Sequence, residues 1–140
     1  MKIPVMLSIV GRQSYMGQEP DVIEFVTEGV LEKMSDGWEI VYNETTLTGM
    51  EGVQTGFYVK GDEIVLTRTG KLNSQMIFRI GKSHESLYQM EFGALMLSVC
   101  ATSISTQLTE NGGVVDLVYT IDIENNAAGT IDYHLDIKRM

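Results

Sequence analysis

Apolar and polar residues alternate along much of this chain, most regularly near its C-terminal end. From Val115 to Glu124 every odd position is apolar and all but one even position is polar, and residues 131–138 repeat the pattern. A repeat of two residues is typical of a strand with one buried face. Asn125-Asn126 and Gly129 lie between the two runs and tolerate positive φ angles, so the runs predict a hairpin.

Further strand-like runs lie between turn signals rich in Gly, Asp and Asn along the rest of the chain. The pattern predicts ten strands, at residues 3–10, 22–34, 38–46, 53–60, 63–69, 73–80, 84–89, 93–108, 114–124 and 129–138. Their short connections make consecutive strands antiparallel neighbours, which gives a meander, and only residues 11–21 form a longer irregular link.

This meander predicts an all-β fold, a closed antiparallel β-barrel of about 8–10 strands, with residues 1–140 as one domain. A two-sheet sandwich is the alternative, but it usually carries longer crossover connections. Closure also leaves no exposed strand edge through which chains could aggregate, and we therefore expect the barrel.

The chain is acidic, with ten Lys and Arg against nineteen Asp and Glu and a net charge of −9. This charge opposes general attraction to phosphates or anionic lipid, so neither nucleic acid nor a membrane is an expected partner. No apolar stretch approaches the roughly 18 residues of a membrane span. Cys100 is the single cysteine, so there is no disulfide framework, and we expect a cytoplasmic protein.

Several short motifs carry a resemblance to a known family. They are Tyr42-Asn43-Glu44, Arg68-Thr69-Gly70, Ser74-Gln75-Met76-Ile77-Phe78, Phe92-Gly93 and Tyr119. Through them the chain resembles the bacterial YwiB-like proteins over nearly its whole length. The resemblance implies a small calycin-like, lipocalin-type barrel, and it implies no activity because the function of those proteins is unknown.

Alternation also predicts which side chains point into the barrel. On the third to sixth predicted strands the inward set is Trp38, Ile40, Tyr42, Glu44, Val53, Thr55, Phe57, Val59, Ile64, Leu66, Arg68, Ser74, Met76, Phe78 and Ile80. Alternate strands of a meander run the same way, so the polar members gather at one rim: Glu44, Thr55, Arg68 and Ser74. Tyr42 and Tyr119 place hydroxyl groups deeper inside. On the ninth strand, Leu117 and Ile121 point inward with Tyr119.

Two interpretations of this rim are open. Arg68 presents its guanidinium to the carboxylate or phosphate of a small ligand at the barrel mouth, with Tyr42 or Tyr119 offering hydroxyls. Alternatively, Glu44 and Arg68 satisfy each other, directly or through one water, and cap a filled core.

Other candidate sites are weaker. The acidic outer face of the last hairpin, with Asp132, His134 and Asp136 beside Asp116, Asp122 and Glu124, is expected to be a solvated surface rather than a cation site. Met76, Met90 and Met96 either line an apolar cavity or fill gaps in the core.

These features favour a binding module without catalytic residues, cofactor or metal, whose partner is a small molecule. The alternative is a filled structural barrel that meets a basic protein surface through its acidic outer hairpin, and a homodimer is a further assembly that the sequence leaves open. A barrel enzyme ranks third, because no nucleophile, base and orienting group can be placed together.

Overall fold

The computed structural model describes residues 2–14, 19–90 and 93–140, and strands form most of them. The ten strands are β1 (Lys2–Ser14), β2 (Asp21–Lys33), β3 (Trp38–Asn43), β4 (Val53–Lys60), β5 (Glu63–Gly70), β6 (Ser74–Phe78), β7 (Ser83–Met90), β8 (Gly93–Thr109), β9 (Gly112–Ile123) and β10 (Asn126–Arg139). A single turn of 3-10 helix spans Thr46–Thr48 between β3 and β4. No helix in the described part of the chain is long and apolar enough to cross a membrane.

The strands form one sheet in the order β6-β5-β4-β3-β2-β1-β10-β9-β8-β7, and every pairing is antiparallel. Each strand pairs with its neighbours in the chain except at β6 and β7, and β10 returns to pair with β1 over ten residue pairs from Val5–Arg139 to Ser14–Thr130. The predicted meander is confirmed, and it rolls the sheet into a nearly closed barrel.

The barrel closes between β6 and β7 through a narrow seam. Asn73 and Gln89 exchange two backbone hydrogen bonds, each 2.9 Å long. Further along, the Ser86 hydroxyl donates to the Gln75 carbonyl at 2.6 Å, and the Ile77 N–H donates to Nδ1 of His84 at 3.4 Å. Side chains of β7 therefore take the place of a regular backbone ladder along this seam.

Apolar side chains fill the part of the barrel that lies away from the predicted rim. The largest fully buried members are Phe57, Phe78, Ile3, Leu7, Leu31, Ile40, Ile64, Leu66 and Leu117, together with Tyr119. As expected, Leu117 and Tyr119 are buried, while Ile121 is half-buried. The buried polar side chains of the described residues are Glu44, Thr55, Arg68, Ser74 and Ser86.

The sixth strand is shorter than predicted. It ends at Phe78, and Ile80 is 57% exposed, so the prediction that Ile80 points inward is wrong. Arg79 and Lys82 form an antiparallel β-bridge across the turn that contains Gly81. Gly81 has a φ of 77°, which glycine adopts without strain. Ile80 meets Ala101 in a parallel bridge, so the chain leaves the alternating register at this point.

The predicted irregular link at residues 11–21 is also shorter. β1 continues to Ser14 because Gly11, Arg12 and Gln13 have partners in both β2 and β10, and β2 begins at Asp21. Residues 15–18 lie outside the described residues, as do residues 91–92.

Two further boundaries differ. β3 stops at Asn43 instead of residue 46, because the Thr45 side chain accepts a hydrogen bond from the Leu47 N–H and caps the 3-10 turn. The predicted hairpin between β9 and β10 is confirmed. Its turn is made by Glu124 and Asn125, both at positive φ. A bulge between Ala127 and Gly129 then shifts the register of the pairing between β10 and β9.

We predict that Leu117→Ala lowers the free energy of unfolding by about 2–5 kcal/mol, because it opens a cavity in the packed part of the barrel. Leu47→Ala is the matched control, since Leu47 is 70% exposed, and its effect is expected to stay below about 0.5 kcal/mol. Urea unfolding measures both values. Equal effects of the two substitutions would contradict the inward position of Leu117.

Candidate functional site

Three of the predicted rim residues lie in one row with Tyr42 across four neighbouring strands. Tyr42 of β3 is the register partner of Thr55 in β4, Thr55 is the partner of Arg68 in β5, and Arg68 is the partner of Ser74 in β6. All four are buried, and so is Glu44 just after β3. The prediction that Glu44, Thr55, Arg68 and Ser74 point inward at one rim is confirmed, and Tyr42 lies level with Thr55.

The Glu44 carboxylate is held by hydroxyl groups. Thr55 donates to one carboxylate oxygen and Thr48 donates to the other at 3.1 Å. The 3-10 turn after β3 brings Thr48 back to Glu44, only four residues along the chain. Glu44 is 6% exposed, and these donors compensate for part of the hydration that its carboxylate has lost.

Tyr42 is a neutral phenol beside this carboxylate. Burial raises its pKa above the ordinary value of 10, and the nearby Glu44 charge raises it further. Tyr42 therefore keeps its proton and can act as a hydrogen-bond donor inside the barrel.

The Arg68 guanidinium is also 6% exposed, yet only part of it is satisfied. Nη2 donates to the Tyr133 hydroxyl at 3.2 Å, whereas Nε is buried without a hydrogen-bond partner. Ser74 Oγ, directly across from Arg68, is buried and unpartnered as well. Burial acts to lower the pKa of Arg68, but the Tyr133 and Tyr119 hydroxyls outweigh it, so the side chain stays charged.

Glu44 and Arg68 do not form a direct ion pair. The ion pairs within the described residues are Lys60–Glu63, Arg79–Glu63 and His134–Asp116. Thr55 lies on the strand between Glu44 and Arg68 and takes up the carboxylate, while the guanidinium turns to Tyr133. The hypothesis that the two charges satisfy each other directly is therefore wrong.

Two cavities that share several lining residues open beside this row. The smaller, about 80 Å³, is lined by Tyr42, Glu44, Arg68, Tyr133 and Phe25 among others. The larger, about 360 Å³, also touches Arg68 and Tyr133 and has an apolar wall formed by Met76, Leu95, Leu97, Ile121, Ile123 and Ile131. Arg68 and Tyr133 thus line both cavities, each of which combines polar groups with apolar side chains.

Tyr133 is the main site residue that the sequence interpretation missed. Its signal was present, because it alternates with Ile131, Leu135 and Ile137, which are all buried. Its ring lies 6.0 Å from that of Phe57 and 6.4 Å from that of Tyr119. Tyr119 lines the larger cavity, as predicted, and packs on Phe78 with the ring centres 4.4 Å apart.

The methionine prediction holds for one residue. Met76 is buried and lines the larger cavity, whereas Met96 is 41% exposed, so the expectation that Met96 lines a cavity or fills a gap in the core is wrong. Its neighbours Leu95 and Leu97 take the inward positions of β8 and turn Met96 outward. The Met90 side chain lies outside the described residues, and Met50 lines both cavities without having been predicted.

The outer acidic face contains two side-chain contacts among the described residues, and one of them is the hydrogen bond that the Met96 N–H donates to Glu124 Oε1 at 2.9 Å. His134 Nδ1 lies 2.5 Å from Asp116 Oδ1, and both side chains are more than two-fifths exposed. Within the residues that the structure describes, no group of three or more His, Cys, Asp or Glu side chains could hold a metal ion.

Comparisons with known proteins agree with the architecture. A family model described as a domain of unknown function, DUF1934, matches residues 7–137. The uncharacterized beta-barrel protein YwiB of Bacillus subtilis (strain 168) is 29% identical over 103 residues, which cover 74% of this chain and 71% of that protein. The crystal structure of the ywiB protein from Bacillus subtilis matches with a TM-score of 0.82 and 24% identity, covering 96% of this chain and 92% of the other, and establishes likeness of fold.

We predict that Glu44 and Arg68 are nearly independent in the ligand-free protein. In a double-mutant cycle with Glu44→Gln and Arg68→Met, urea unfolding is expected to give a coupling below about 0.5 kcal/mol, because no contact joins the two side chains. Breaking one partner of a direct buried pair costs about 3–5 kcal/mol. A coupling of that size would show that Glu44 and Arg68 form a direct ion pair.

We also predict an alkaline loss of stability that depends on Tyr42. Its pKa is raised on folding, so its contribution is complete below pH 10 and is lost as the pH rises further, because the unfolded chain releases the proton first. Tyr42→Phe removes this contribution and should reduce the loss measured by urea unfolding at neutral pH and above pH 10. An unchanged loss in the variant would show that Tyr42 is not buried as described.

Proposed function

We propose that this chain, which belongs to the DUF1934 family, binds a small organic anion at the mouth of its barrel, with Arg68 as the anchor. The observation that carries the proposal is the buried guanidinium whose Nε has no hydrogen-bond partner and which no carboxylate neutralises directly. A buried charge in this state is costly for folding alone, so an anionic ligand accounts for its presence.

The anionic group of the ligand belongs at Arg68 and Tyr133. Arg68 offers Nε and its remaining donors in a planar fork that fits a carboxylate or phosphate, and Tyr133 and Tyr119 offer hydroxyls close by. Ser74 adds an unpartnered hydroxyl next to Arg68. The Glu44 carboxylate, held beside Thr55 and Tyr42, carries a negative charge. This charge repels an anionic ligand and so favours a position of the ligand next to Arg68.

The rest of the ligand is apolar. The volume of the larger cavity, about 360 Å³, lies near the lower end of the range usual for small-molecule sites, and Leu, Ile and Met side chains form one part of its wall, away from the polar groups. We therefore propose a ligand with one acidic group and a hydrocarbon body, held in a barrel of calycin or lipocalin type in the cytoplasm.

Binding is a better proposal than catalysis. The rim carboxylate already accepts two threonine hydroxyls, and neither His nor Cys is among the residues that line the two cavities. The alternative of a filled barrel that acts through its acidic outer strands has less support, because cavities of about 80 and 360 Å³ lie beside Arg68.

Isothermal titration with decanoate and the uncharged decanol tests this proposal. We expect Arg68→Met to weaken decanoate binding about 10- to 100-fold, since hydrogen bonds to charged groups contribute about 1.5–3 kcal/mol, and to leave decanol binding unchanged. Arg79→Met is the matched control, because the Arg79 side chain is 49% exposed, pairs with Glu63 and lines neither cavity, and it should change neither affinity. Equal binding of decanoate to the original chain and to Arg68→Met would refute the role of Arg68.

A further inference from the structure

One strand of the barrel is paired on only one side over part of its length. β2 pairs with β1 from Asp21 to Glu32, but its pairing with β3 begins only at Gly29. We propose that residues 21–28, here called the open edge, bind an extended basic peptide segment of a partner protein as an added antiparallel or parallel strand. This proposal does not depend on a ligand in the barrel.

The backbone of the open edge has donors and acceptors to offer. Along a strand that is paired on one side, every second residue directs its N–H and C=O away from that neighbour. β3 ends at Asn43, and the following turn makes its backbone hydrogen bonds within itself, from Thr48 to Thr45 and from Gly49 to Thr46. Across the described ranges 2–14, 19–90 and 93–140, no other strand pairs with the open edge on this side.

The side chains on the outer face of the open edge are two valines and two glutamates. Ile23 and Phe25 point to the cavity beside Arg68, so Val22, Glu24, Val26 and Glu28 share the outer face. Val22 is 48% and Val26 64% exposed. Exposed edges are usually protected by charged side chains, Pro or a bulge. Residues 21–28 contain no Lys, Pro or bulge, and their charged side chains are all acidic, so the protection acts against acidic partners and not against basic ones.

The two outer glutamates and the apolar inner residues of the open edge identify the occupant. An added strand places its own outer side chains beside Glu24 and Glu28, where opposite charges attract and like charges repel. A second copy of this chain would bring another net charge of −9 and the same glutamates to the contact. In a segment of about eight residues in which Lys or Arg alternates with apolar residues, the basic side chains lie on the outer face with Glu24 and Glu28, and the apolar side chains lie on the inner face with Ile23 and Phe25.

The experiment uses a fluorescein-labelled octapeptide of alternating valine and lysine, with fluorescence anisotropy as the readout. We expect saturable binding to the full chain. Glu24→Lys together with Glu28→Lys should weaken it at least tenfold and create binding of the corresponding valine–glutamate peptide. Asp122→Lys with Asp132→Lys is the matched control: it makes the same change in net charge on the exposed outer face of β9 and β10, and should alter affinity less than threefold.

A second peptide tests the strand pairing itself. Methylation of alternate backbone nitrogens on the edge that faces β2 removes the donors of the added strand and should abolish binding, while methylation on the other edge should not. Glu24→Gln with Glu28→Gln provides a milder variant if the lysine variant loses its strand-type circular dichroism. Equal weakening by the edge and control variants, no binding of the octapeptide at millimolar concentration, or self-association of the chain that Val26→Lys abolishes would overturn the proposal.

Discussion

A single constraint organises the interior of this barrel: a guanidinium that cannot lose its charge lies buried at position 68. The register places Arg68 between Thr55 and Ser74, so it cannot leave the interior without breaking the alternation of β5. Its neighbours respond to the charge. Tyr133 accepts one hydrogen bond from it, and the interior next to it stays polar and partly open. The barrel is consequently packed with apolar groups at one end and built for polar contact at the other.

The unequal lengths of the strands determine where that polar end is accessible. β3 and β6 have six and five residues, whereas β1 and β2 have thirteen each. The short strands end at the level of the row, so the wall is low beside Glu44 and Ser74. β2 continues past this level, paired with β1 but with no partner on its β3 side. The mouth of the barrel and the open edge of β2 are thus two consequences of the same early end of β3.

Much of the row was predictable from the sequence, because alternation is a local property of each strand. The positions of Thr55, Arg68 and Ser74 follow from the parity of their apolar neighbours, and Tyr133 could have been identified in the same way. The partners of Glu44 could not, because they depend on the 3-10 turn that returns Thr48. Ile80 and Met96 were assigned wrongly for a related reason: alternation does not indicate where a chain turns out of its strand, nor which of several adjacent apolar residues faces the core.

The proposed role of Arg68 rests on its buried Nε–H, which has no hydrogen-bond partner within the protein. The most direct measurement follows the four arginine Nε–H signals by proton–nitrogen NMR while decanoate is added. We expect one signal that exchanges slowly with water before ligand is present, shifts saturably during the titration and is missing in Arg68→Met. The signals of the three other arginines should stay in place. An Arg68 signal that exchanges rapidly with water, or that does not respond to decanoate, would contradict the role of Arg68 as the anchor of an anion.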